Sequence, residues 1–170
     1  MRTYATLISG AVAGLDDPLE RLAGAVIASA RMPALHGRAG VDRGLSHLRR
    51  QLAQAEPELV ARSQEPVTAL YHGLVEEAMA GSTAAVVDVE IATYFLSALR
   101  TGLILSMTWG DEYGVGLPDA IELSCFSLAG LGLARPRSWH EEVDAKLELS
   151  GADRRSILRR LANEPARTRR

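Results

Sequence analysis

Arg100 is the residue of this sequence whose chemistry most demands a partner. It stands in the run Asp88-Val-Glu-Ile-Ala-Thr-Tyr-Phe-Leu-Ser-Ala-Leu-Arg-Thr-Gly-Leu-Ile-Leu-Ser-Met-Thr-Trp109, which is otherwise nearly all apolar apart from a thin polar stripe. A guanidinium taken out of water has to be paired. Two partners are open: a carboxylate across an interface, Glu122 for instance, or the carboxylate of a bound ligand. The large adaptable side chains bear on the second. Tyr71 and Leu74 of the preceding segment, Tyr94, Met107 and Trp109 of this run, and Phe126 of the next could line an apolar cavity with a few polar handles. A core filled by the same side chains is the competing reading.

Little else is arranged for chemistry. His36, His47, His72 and His140 are scattered over four segments. His72 and Glu76 are one helical turn apart, but two ligands do not make a metal site. Cys125 is the single cysteine, which excludes an intramolecular disulfide and a site built on several thiolates. It lies in an apolar helix with no histidine close in sequence and reads as a small hydrophobe. Gly110-Asp-Glu-Tyr-Gly-Val-Gly116 has three glycines but no lysine and no preceding strand, so it is a helix-to-helix turn and not a phosphate loop. No pair of carboxylates stands where acid–base work would need it. A binding protein without metal or cofactor is expected, not an enzyme.

The elements that must position these residues are helices. Valine and isoleucine never alternate in strand-like runs, and no Asn-Gly or Asp-Gly hairpin signal occurs. The chain has 170 residues, 47% hydrophobic but only 5% aromatic, so its core is built from Leu, Ala, Val and Ile. Its net charge of −2 divides unevenly: residues 151–170 carry seven Arg against Asp153 and Glu164 and stand at +5, leaving 1–150 at −7. The start, Met1-Arg-Thr-Tyr-Ala5, lacks the apolar stretch of a signal peptide, and a cytoplasmic protein is expected.

The chain reads as organised around residues 88–134. Asp88 caps the first arm and Glu90 favours its N-terminal dipole. A second arm, Pro118 to Leu133, has no charge between Glu122 and Arg135. Neither arm spans a membrane, since the uncharged runs fall short of the roughly 18–20 residues a bilayer requires. So much apolar surface has more than one face to bury. Ala98, Gly102 and Ser106 lie four apart and admit a close neighbour. With Ser124, Leu128 and Leu131 on the second arm they form the expected two-fold interface of a homodimer.

Upstream, residues 3–13 form a short helix. Asp16 or Asp17 caps the next, Pro18 starts it, Leu19, Leu22, Val26 and Ile27 form its buried face, and it stops near Pro33. A loop over 34–42 leads to an amphipathic helix through Leu45, Leu48 and Leu52. Helix resumes after Pro57, with a kink or break at Pro66, and ends at Gly81-Ser82. Downstream, Ser138-Trp-His-Glu141 has capping-box spacing, with Trp139, Val143 and Leu147 on one side. Asp153 starts a last short helix with Ile157, Leu158 and Leu161 among arginines, a solvated end that could touch phosphates without sequence preference.

Asp17-Pro-Leu-Glu-Arg-Leu22, the passage Leu48-Arg-Arg50 then Glu56-Pro-Glu-Leu59, and the final long helix pair resemble the C-terminal regulatory domain of TetR-family transcriptional regulators. The likeness covers roughly residues 3–134; residues 1–134 are taken as the regulatory domain, with 135–170 as an Arg-rich helical extension. It implies an all-α bundle ending in a two-helix dimerisation hairpin, and a small, often hydrophobic effector. The family's N-terminal helix-turn-helix has no counterpart here. DNA contact is then left to an absent N-terminal domain or to a partner subunit. The alternatives are a stand-alone dimerisation module that titrates a full-length regulator, and a small-molecule carrier without DNA binding.

Overall fold

A computed structural model describes residues 2–37, 54–80, 82, 86–113 and 119–147. Six helices are found there and no strand: α1 (Arg2–Val12), α2 (Pro18–Gly37), α3 (Pro57–Met79), α4 (Val89–Tyr113), α5 (Ala120–Gly130) and α6 (Arg137–Lys146). No helix among the described residues is long and apolar enough to cross a membrane.

The centre of the bundle is α2. Its cap is Asp17, whose Oδ1 accepts from the Leu19 and Glu20 amides at 2.9 Å each. Every residue from Leu22 to Ala30 is buried, so this helix has no outer face over more than two turns. Its small residues, Ala23, Gly24, Ala25, Ala28 and Ala30, let neighbours approach from all sides. Each of the other five helices packs on it. The expected organising role of 88–134 thus passes to α2, because the thinnest helix gathers the most neighbours.

Around it, α3 presents Val67, Tyr71, Leu74 and Val75 inward at helical steps. Pro66 does not divide α3, and α2 likewise runs through Pro33 to Gly37. A proline inside a helix costs about 3 kcal/mol. Burial of the turns beside it can offset that, as Val67 and Tyr71 do immediately after Pro66. Asp88 Oδ1 caps α4 through the Ile91 amide at 2.7 Å. This helix continues past Trp109 into the expected glycine turn and ends at Tyr113. It buries Ala92, Thr93, Leu96, Arg100 and Leu103 on one face and packs on α3 and α2.

The shorter α5 is capped by Asp119, whose Oδ1 accepts from Ile121 N at 3.0 Å and Glu122 N at 2.9 Å. It ends where Gly132 takes φ 78°. There the Gly132 amide bonds Ala129 O at 3.0 Å and the Leu133 amide bonds Leu128 O at 2.8 Å. That closing turn needs a left-handed residue, and Leu128 and Leu133 bury together beneath it. α5 packs on α2 and α6, so α4 and α5 each lean on the central helix more than on each other.

Finally, α6 begins at Arg137 with Pro136 at its N-cap and no side-chain cap. Ser138 therefore lies inside the helix, and Glu141 binds Arg137 Nε at 2.9 Å instead of closing a capping box. His140, Val143 and Leu147 enter the core. The helix expected around Leu45–Leu52, the 151–170 tail and most of the 110–118 turn lie outside the described residues.

Candidate functional site

The inner face of α4 carries a polar line through an apolar helix. Thr93, Ser97 and Arg100 follow one another at four- and three-residue steps, and so project to one side. Arg100 is only 4% exposed. Its Nη1 donates to Gln64 Oε1 of α3 at 2.7 Å, and its guanidinium carbon stands 5.4 Å from the centre of the Tyr4 ring on α1. Close by, the Tyr71 hydroxyl meets Ser29 Oγ at 2.7 Å and reaches the Ala25 carbonyl at 3.3 Å. Burial pushes the Tyr71 phenol pKa up, against the opposing effects of Ser29 and of the Arg100 charge. It stays a neutral donor. Four helices thus bring together one cation, one amide, two phenol rings and several hydroxyls. Thr93 Oγ1 and Ser97 Oγ are buried there with no hydrogen-bond partner among the described residues.

A partnerless buried hydroxyl costs about 1–3 kcal/mol. Two of them stand on the same helix face as the buried Arg100 cation. The other chemistry-bearing groups are placed differently. Among the described residues no three His, Cys, Asp or Glu gather as a metal site. Cys125 is half-buried and its pKa is raised, burial outweighing the nearby Arg137 charge, so the thiol stays protonated.

The structure divides the residues singled out by sequence. Tyr71, Leu74 and Arg100 are in the interior. Tyr94 and Phe126, expected beside them, are 77% and 65% exposed. The reason is rotation: once Thr93 faces in, Tyr94 is carried about 100° round the helix. The side chains of Ser106, Met107 and Trp109 lie outside the described ones. Arg100 meets Gln64, while Glu122 meets Arg137 on the surface, 3.4 Å away.

Of the six residues expected at an interface, Ala98 and Gly102 are exposed on α4. Ser124, Leu128 and Leu131 are buried inside the protomer instead. They share the face of α5 that rests on α2, and the outer face carries Glu122, Phe126, Ala129 and Gly130.

The chain matches no protein-family model, no curated protein and no solved structure.

Functional reading therefore rests on the geometry. Sequence reasoning passed over Tyr4, Ser29, Gln64, Thr93 and Ser97. Thr93 and Ser97 carried a signal, since they stand in register with Arg100. Nothing in the sequence ties Gln64 or Tyr4 to it.

Proposed function

We propose that this chain is an effector-binding and dimerisation domain like those of TetR-type regulators, and that its effector is a small, mainly apolar acid. The observation that carries the reading is the interior line Thr93, Ser97 and Arg100, a buried cation with two unsatisfied hydroxyls on one helix face. A purely structural core has little use for two buried hydroxyls without partners, whereas a ligand carrying an acid group and further acceptors could engage that line. The role is binding without catalysis.

A second observation supports self-association. Ile91, Tyr94, Ala98 and Gly102 form one exposed, uncharged line along α4. The amide of exposed Val86, just before α4, bonds Leu131 O at 3.4 Å, and the half-buried Phe95 ring lies near Gly130, so the start of α4 lies near the end of α5. Phe126 and Ala129 extend the apolar surface there. A patch of this kind marks a contact surface, and a second copy of the chain is the occupant we infer. In this reading DNA contact belongs to a segment outside this chain or to a partner subunit.

The effector reading is tested by thermal shift with matched hydrophobic carboxylic acids and their neutral amides. At a hundredfold excess over Kd a ligand adds about 2.7 kcal/mol, several degrees in midpoint. Acids are expected to raise the midpoint of the wild type, and Arg100→Met to abolish the preference for acids over amides. An acid response that survives Arg100→Met undiminished refutes the assignment.

A further inference from the structure

α6 is held on the bundle at both ends and in the middle. Its first turn carries Arg137, which lies 3.6 Å from Asp119 and 3.4 Å from Glu122 at the start of α5. Its far end carries Lys146, paired with Glu20 of α2 at 2.6 Å, and Asp144, paired with Arg31. Beneath them Leu147 enters the core against Gly24 of α2. A Cβ on Gly24 would come within 2.9 Å of Leu147 Cδ2, so the missing side chain is what admits the leucine.

At the middle sits His140, fully buried. Its Nδ1 is 3.0 Å from Ser124 Oγ on α5, which is itself 3.5 Å from the Ala23 carbonyl of α2. The Trp139 ring meets the imidazole edge-on, with centroids 5.0 Å apart. A relay from Nδ1–H to Ser124, and from the Ser124 hydroxyl to Ala23, leaves only a lone pair on Nε2. Nε2 is buried with no hydrogen-bond partner among the described residues.

A second proton must go onto that nitrogen, which has no partner among the described residues, and the Arg135 backbone favours the charged ring only enough to offset burial in part. The charged groups facing the pocket do not compensate. On α2, Glu20 and Arg31 are engaged by Lys146 and Asp144. On α5, Asp119 and Glu122 face Arg137, as does Glu141 of α6 itself. Glu142 is exposed, and Arg135 in the preceding turn adds positive charge. Asp144 keeps one buried oxygen without a partner, one turn along, but none of these carboxylates bonds the imidazole.

We propose that α6 is a proton-sensitive clasp, seated on α2 and α5 while His140 is neutral and released when His140 takes a second proton. Burial holds the His140 pKa below the ordinary histidine value, with the Arg135 backbone opposing in part. The undocked imidazole regains a pKa of about 6.5. Docking is therefore complete above that value and weakens as pH falls through it. The loss is up to about tenfold per pH unit until the docked pKa is reached.

The test is amide hydrogen exchange on the full chain, corrected for intrinsic rates, at about pH 7.5 and about pH 5.5. Protection of residues 137–147 is expected to fall roughly tenfold across that interval, while α2 and α3 keep theirs. His140→Gln, which keeps a neutral donor for Ser124, is expected to remove the pH dependence. Should that variant not fold, the wild-type imidazole decides the matter by NMR: His140 is expected to titrate below the ordinary histidine value. Protection of α6 that does not change with pH, pH dependence that persists in His140→Gln, loss of protection in all helices together, or a His140 that titrates at or above the ordinary histidine value would each overturn the clasp.

Discussion

Thr93→Val separates a site kept for a ligand from a core kept for stability. Thr93 is 5% exposed, and its Oγ1 is buried without a partner among the described residues. Valine has nearly the same shape and a nearly equal helix propensity. The substitution therefore removes a desolvated hydroxyl and leaves the packing in place. Relieving such a group is worth about 1–3 kcal/mol, and we take about 1 kcal/mol as the expected gain. For a chain of this size that raises the melting midpoint by roughly 2–4 °C. The control is Ser29→Ala, which removes a made bond, Ser29 Oγ to Tyr71 Oη at 2.7 Å, and should cost a similar amount. Urea unfolding of the two variants and the wild type without ligand measures both signs. The same Thr93→Val protein should respond more weakly to carboxylic acids in the thermal-shift screen. If it is less stable than the wild type, the hydroxyl already has a partner and the cluster is structural. If it is more stable and its ligand response is unchanged, Thr93 takes no part in binding.

If the proposed dimer forms, Gly102→Glu should shift it to monomer in sedimentation with little change in the stability of the fold, since a Cβ at Gly102 meets nothing within 4 Å; an unchanged dimer moves the interface elsewhere, and a wild-type monomer at micromolar concentration removes it. Leu128→Ala, at a fully buried site, should cost about 2–5 kcal/mol by urea unfolding. A loss within about 0.5 kcal/mol, as at surface sites, would contradict its place in the core. Asp119→Ala removes the α5 cap and should cost about 1 kcal/mol, whereas Asp119→Asn should keep most of it.

The starts of helices were legible because capping is local. Asp17 and Asp88 each lie within four residues of the amides they bind, and both could be placed from neighbouring residues alone. Pro33 did not stop its helix, and of the kink or break open at Pro66 the break did not occur, for the complementary reason. Their penalty is local and known, but the burial that outweighs it at Pro66 comes from other helices. Ser138 and Glu141 show the same limit: the spacing fits a capping box, yet Arg137 claims the glutamate.

The sequence by itself determined that the described chain is all-helical, where most of its helices begin, and that Arg100 would be taken out of water. Those properties follow from side-chain type, period and neighbours a few residues away. Only the tertiary structure decided that α2 is the central helix, that Ser124, Leu128 and Leu131 face inward while Tyr94 and Phe126 face out, and that Arg100 meets Gln64. An apolar helix with a narrow polar stripe buries equally well in several rotations about its axis. What selects one of them is the shape of the neighbours, such as the smooth flank of Ala23, Gly24 and Ala28 on α2, and that shape exists only after the helices have packed.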